Sequence, residues 1–325
     1  MKFRFRVVLA ASIAFFALLG AGAVSAQAWP TKSVRMIVAF PPGGPTDIIA
    51  RVIAQKLSEQ LGQQFVIDNK PGAGGNIGAD LTAKAVPDGY TVFYNTSAIV
   101  IGPALYAKVS YDTLKDFAPV VLAAAVPMVL VVNPALPVKT VKEFVDYAKT
   151  KPGQLNYSSS GTGTITHLAS AMIASQTGIQ MQHIAYKGSA PGLVDLAAGQ
   201  TQSMTDTINT ALPYIRDGRL RAIAVTSLKR SSVLPDVPSL HEAGLTGFDA
   251  AAWQGIVVPA GTSAEIITRL NAEVNKVLAL ADVRAKLAAQ GADAFGGTPA
   301  EYAAYIRAEM PRWAKAIKES GAKAE

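Results

Sequence analysis

Short runs of β-branched and apolar residues recur along the chain. Each ends in a Gly- or Pro-rich turn and is followed by a stretch whose apolar positions fall at helical spacing. The first run, Val34 to Phe40, stops at Pro41-Pro42-Gly43-Gly44-Pro45. Thr46 or Asp47 is then placed to cap a helix carrying Ile48, Ile49, Val52, Ile53 and Leu57 on one side, with Gly62 as its stop. The order returns with Phe65 to Ile67 as a strand, Pro71 to Gly75 as a loop and a helix from Asn76 through Ala85. Pro87-Asp88-Gly89 turns the chain into a third strand over Tyr90 to Tyr94. Strands alternating with helices predict parallel pairing with right-handed crossovers, so an α/β sheet covered on both faces is expected here.

A second block repeats the order. Leu155 to Ser158 reads as a strand, Ser159-Ser160-Gly161-Thr162-Gly163 as a loop, and Thr164 to Gln176 as a helix. Met181 to Tyr186, Gln202 to Asp206 and Arg221 to Thr226 read as further strands, with helices beginning near Ser189 and Thr210. Trp253 to Val258 is another strand, and the tail from Ser263 is mostly helical, with Ile266, Ile267, Leu270, Val274, Val277 and Leu278 on one face. The longest apolar run beyond the N-terminus, Ala118 to Val132, is interrupted by Pro127, is too short to cross a bilayer and reads as buried strands. If Met128 to Val132 and Trp253 to Val258 carry the chain between two bodies, residues 29–127 plus 251–325 form a first lobe and 128–250 a second. A cleft between them follows.

Composition changes the picture mainly at the N-terminus. Lys2, Arg4 and Arg6 precede an apolar stretch from Val7 to Leu19, and small residues follow, which is the order of a secretory signal. Residues 1–28 are therefore expected to be cleaved and the rest to be periplasmic. The chain has no cysteine, so the exported fold must stand on its core without disulfides. The formal charge of +7 falls to about +4 once the three leader cations are removed, and no basic run is interleaved with aromatic residues. The composition therefore argues against nucleic acid as a partner, and no cofactor or metal motif stands out.

An open α/β sheet binds ligands beyond the carboxyl ends of its strands, where loops lead into helix N-termini. Here those loops are Gly-rich, and first-turn N–H groups suit an anion. The candidate contacts are Phe40, Pro42, Gly43, Gly44, Thr46 and Asp47 from the first unit, and Thr96 and Ser97 after the third strand. Ser160, Gly161, Thr162, Gly163 and His167 join them from the middle block, with Asp206 at a later strand end. No Arg or Lys falls inside these loops, so the anion is expected to be held by dipoles. Plain readings stand beside these: Asp47 as a helix cap, Asp206 as a partner for backbone N–H groups, Phe40 as packing. A triad of Ser160, His167 and Asp206 is the catalytic alternative, but the glycine spacing of a nucleophile elbow is missing.

Ala39-Phe40-Pro41-Pro42-Gly43-Gly44-Pro45-Thr46-Asp47, Asn69-Lys70-Pro71-Gly72-Ala73-Gly74-Gly75-Asn76 and Pro87-Asp88-Gly89-Tyr90 follow one another in order. Gly161-Thr162-Gly163, Tyr186-Lys187-Gly188 and Leu234-Pro235-Asp236-Val237-Pro238 come after them. In this ordered series the chain resembles the Bug or TctC-like receptors of tripartite tricarboxylate transporters. The resemblance implies a two-lobed, type II-like periplasmic binding protein that closes on its ligand, a non-enzyme, with a small organic carboxylate and integral-membrane transporter subunits as partners. A monomer is expected. It further implies that Phe40, Gly43, Gly44, Asp47, Gly161, Thr162 and Gly163 grip one ligand carboxylate, with a contact from Asp206. A sensory receptor feeding a membrane kinase has the same sequence features.

Overall fold

The computed structural model describes residues 29–323. The expected leader, 1–28, lies outside the described residues, and the body begins at Lys32.

The body opens with strand β1 (Val34–Val38), helix α1 (Pro45–Leu61), strand β2 (Phe65–Asn69), helix α2 (Asn76–Ala83), strand β3 (Thr91–Thr96) and helix α3 (Ala98–Leu105). Ile49, Ile53 and Leu57 on the inner side of α1 are fully buried, as their spacing requires. β2 and β3 flank β1 and both run parallel to it. A long strand β4 (Phe117–Val132) follows, then α4 (Val141–Thr150), β5 (Leu155–Ser159), α5 (Ile165–Thr177) and β6 (Met181–Ala185). Next come α6 (Ser189–Ala197), β7 (Ser203–Thr207), α7 (Ile208–Arg216) and β8 (Arg221–Val225). The chain ends with β9 (Ala251–Pro259), α8 (Ala264–Ala279), α9 (Ala281–Ala289), β10 (Asp293–Ala294) and α10 (Pro299–Ser320).

One expectation is corrected by the pairing. The region around Pro127 is one continuous strand of 16 residues rather than separate strands. Phe117 to Pro127 lie along β9, whereas Met128 to Val132 lie between β7 and β8, so the proline sits where β4 changes partners. A residue without an N–H is tolerated in a sheet at such an irregular point. The sheet is mixed, with the parallel pairing expected of the strand and helix alternation in β1 to β3 and an antiparallel strand inserted beside them. β9 runs antiparallel to both β3 and β4, because it returns from the middle block without a crossover helix. β5 is parallel to β6 and β7, which preserves the expected order in the middle block.

Two connections join the halves, and Thr226 touches both. Its hydroxyl accepts the N–H of Met128 at 3.0 Å and donates to the carbonyl of Ala250. Helix α10 packs against α3, α5 and β4, reaching across both halves. Trp253 and Trp313 are buried in that core, and both indole N–H groups donate to Oε2 of buried Glu309, at 2.9 and 2.8 Å. Arg312 occupies the other carboxylate oxygen at 2.8 Å. One acid thus satisfies two indoles that burial would otherwise leave unpaired.

Glu309→Ala should lower stability by about 3 kcal/mol in urea unfolding, since two buried donors and one guanidinium lose their acceptor. Glu309→Gln, which keeps a carbonyl oxygen, should lose less.

Candidate functional site

The loop after β1 is held by one carboxylate. Asp47 is 1% exposed; its Oδ2 accepts the N–H of Gly43 at 2.9 Å and Nε of Arg51 at 2.8 Å, and its Oδ1 accepts the Asn69 amide at 2.9 Å. Burial alone would raise its pKa, but the hydrogen bonds from Arg51, Gly43 and Asn69 outweigh that and hold it below the usual carboxylate range. The cap of α1 is Gly44, not Thr46 or Asp47. Pro45 supplies the first helical position, where its fixed φ suits the turn and its missing N–H costs nothing. Asp47 stands two places further on and ties the helix start back to the loop.

The loop after β5 is held by a histidine. Nδ1 of His167, on α5, accepts the N–H of Gly163 at 3.3 Å. Its ring lies flat on that of His183, 3.9 Å between centroids and 9° between planes. Burial, with the neighbouring His183 as a second cause, pushes the His167 pKa down to about 3. The ring is therefore neutral, with its proton on Nε2. Gly163 has φ of +77°, and a Cβ there would lie 2.7 Å from the Tyr106 ring, so only glycine passes.

These loops border two cavities that share Phe40, Pro41, Ser160, Lys187 and Gly188 as a common wall. The inner one, about 70 Å³, is reached by Phe40, Pro42, Gly44, Thr46, Thr96, Ser97 and Ser160 of the expected set. The outer one, about 610 Å³, is lined by Phe40, Ser160, Gly161 and Thr162. Gly43, Asp47, Gly163, His167 and Asp206 line neither. The first four of these hold the loops from behind. Asp206 is 0% exposed; it accepts the Ser189 hydroxyl on Oδ1 and the Thr210 hydroxyl on Oδ2, both at 2.8 Å. The Ser160 hydroxyl pairs with Thr166 at 2.9 Å, so Ser160, His167 and Asp206 form no relay.

Five helices begin at the wall of the inner cavity. It is lined by Gly44 to Thr46 of α1, Ser97 and Ala98 of α3, Thr164 to Thr166 of α5, Gly188 to Ala190 of α6, and Thr207 before α7. Two of the five N-caps, Gly44 and Gly188, have no side chain, and those of Ser97, Thr164 and Thr207 accept no first-turn N–H. At α3 the Thr96 hydroxyl takes the N–H of Ala98 at 3.2 Å. By contrast α4, α8 and α10, which start elsewhere, are capped by Thr140, Ser263 and Thr298. Helix starts left bare around one cavity leave amide donors and partial positive charge for an anion. The amides of Gly43, Gly161 and Gly163 are spent on Asp47, Ser159 and His167, so the donors that remain lie one turn further along.

Sequence reasoning overlooked the segment Lys187 to Pro191, together with Ile165, Thr166, Thr207 and Gln254. The signal for the first was present: Gly188-Ser189 follows β6 and opens α6, the same strand, glycine, helix order used elsewhere. Gln254 could have been noticed as a polar residue inside an apolar run.

An α/β sheet in two halves, with a cleft lined by strand ends and helix starts, defines the class of two-lobed solute-binding proteins. The chain belongs to the tripartite tricarboxylate transporter family receptors, whose sequence profile matches residues 49–322. It is similar to protein BugT of Bordetella pertussis, 39% identical over 95% of this chain and 96% of that one. Among solved structures, an R. palustris protein with adipate superposes with a TM-score of 0.88 at 40% identity, covering 90% of this chain and 98% of that one. MatC from Rhodopseudomonas palustris, with bound malate, gives 0.85 at 33% identity, covering 89% and 100%.

Burial raises the pKa of Asp206 to about 6, against hydrogen bonds from Ser189, Thr210 and Thr207 that oppose the rise. The folded state thus binds this proton more tightly than the unfolded chain. Its contribution is fully present below about pH 4 and is lost as pH rises through about 6. Relative to Asp206→Asn, the wild type should lose on the order of 3 kcal/mol over that window in unfolding titrations.

Proposed function

We propose that this chain is an exported receptor that captures a small organic carboxylate in the periplasm and presents it to the membrane subunits of a tripartite carrier. The observation that carries the reading is the meeting at one cavity of five helix starts, none capped by the side chain of its own N-cap residue. Such a site suits an anion held by dipoles, and the one serine of the middle loop that meets a histidine, Ser159 with His183 at 2.6 Å, lines neither cavity. Relatives of the same fold solved with adipate and with malate support a carboxylate as the anion.

Residues 29–127 plus 251–325 act as one lobe and 128–250 as the other. The change of partners in β4 between Pro127 and Met128 supports that boundary. Phe40, Pro42, Gly44, Thr46, Thr96, Ser97 and Ser160 face the ligand, Gly161 and Thr162 form the outer rim, and Gly43, Asp47, Gly163, His167 and Asp206 fix the frame. Lys2, Arg4, Arg6 and the apolar stretch behind them support export by a cleaved leader.

Closure is held by contacts between the lobes. The Tyr106 hydroxyl donates to the Thr162 carbonyl at 2.7 Å, and a Cβ on Gly188, whose φ is +109°, would lie 3.1 Å from Pro41. A ligand that contacts both sides favours this arrangement by its differential affinity for the closed state.

Thermal unfolding against a panel of small carboxylates should show a rise of several degrees for at least one acid at a hundred times its Kd. A panel with no effect at millimolar acid overturns the reading. Tyr106→Phe, which removes the latch but not the ring, should weaken that acid about fivefold in calorimetric titration.

A further inference from the structure

Gln254 lies on β9 between Trp253 and Gly255, opposite Thr96 of β3 and Ala124 of β4. It lines the inner cavity and is 1% exposed. Its Oε1 has no hydrogen-bond partner. A buried acceptor without a donor costs stability that only a matching group can restore, so a polar side chain kept in this condition at a binding cavity points to something that arrives there.

The charges around the cavity narrow what that is. No Asp or Glu is among its lining residues, and Lys187 is the single charged side chain in the wall. The carboxylates behind it, Asp47 and Asp206, are closed over and occupied by Gly43, Arg51, Asn69, Ser189 and Thr210. An ammonium group would therefore meet five partially positive helix ends and no counter-ion. A carboxylate offers Oε1 only acceptors. A hydroxyl offers one donor and carries no charge, and it accepts in turn from neighbours such as Thr96 and Thr207.

We propose that Gln254 is the specificity-determining contact of this site and that it reads a hydroxyl group borne on the carboxylate ligand. The preferred ligand class is the hydroxy acids, ahead of unsubstituted acids of the same skeleton, with amino acids rejected. The inference rests on the carboxylate reading above and goes further by naming the second group that is recognised.

Calorimetric titration with succinate, malate and aspartate, and with glutarate, 2-hydroxyglutarate and glutamate, varies one substituent on a fixed skeleton. For the skeleton that fits, the hydroxy acid should bind about tenfold or more tightly than the unsubstituted acid, and the amino acid at least about a hundredfold more weakly than the hydroxy acid. Gln254→Met, close in volume, should bring the ratio of hydroxy to unsubstituted acid towards one. Gln254→Glu should weaken the hydroxy acid and give the amino acid measurable affinity. Equal binding of hydroxy and unsubstituted acids by the wild-type protein overturns the proposal while leaving the carboxylate reading intact, and so does an unchanged ratio in Gln254→Met. No binding by any of these acids overturns the proposal, and when the wider panel of acids also fails, the carboxylate reading falls with it. Circular dichroism of each variant separates lost folding from lost contact, and the wild-type ratio decides the matter on its own if a variant does not fold.

Discussion

A helix cannot pair its own first amides, and this protein turns five helix starts to one small space with no N-cap side chain to occupy them. That constraint orders much of the rest. Each helix start must be aimed, so the loop in front of it must be rigid, and two of the loops are fixed from behind. Asp47 clamps one through Gly43 and Asn69; His167 clamps another through Gly163. The clamping groups are buried and turned away from the cavity. Their hydrogen bonds are made to the loops and not into the cavity.

The division of labour between charge and dipole follows from the same arrangement. A site built from fixed amide dipoles needs no guanidinium and pays no side-chain entropy to order one. Lys187 stands at the shared wall of the two cavities, where it adds positive potential along the way in without occupying the interior. Phe40, Pro41 and Pro191 add apolar surface to the lining, which lowers the local dielectric around those dipoles.

Much of this was legible in the sequence. The strand, glycine loop, helix order placed β1, β2, β3 and β5 to within a few residues, because period and turn chemistry are local properties. The antiparallel insertion of β9 and the continuity of β4 through Pro127 were not legible, since both depend on which distant strand lies alongside. The glycine-rich loops named the right neighbourhood of the cavity. Which amides there are engaged could not be read, because the accepting side chains Asp47, Ser159 and His167 are themselves oriented by Asn69 and His183 from other parts of the fold. Gln254 escaped notice for a similar reason: a lone polar residue in an apolar strand acquires meaning only when the cavity beside it is seen.

The hydroxyl of Thr226 has a mechanical consequence. It grips the chain on its way out to the middle block at Met128 and on its way back at Ala250. The outgoing and returning backbones are thus riveted to one another rather than free to slip independently. Any relative movement of the two halves must therefore carry both connections together.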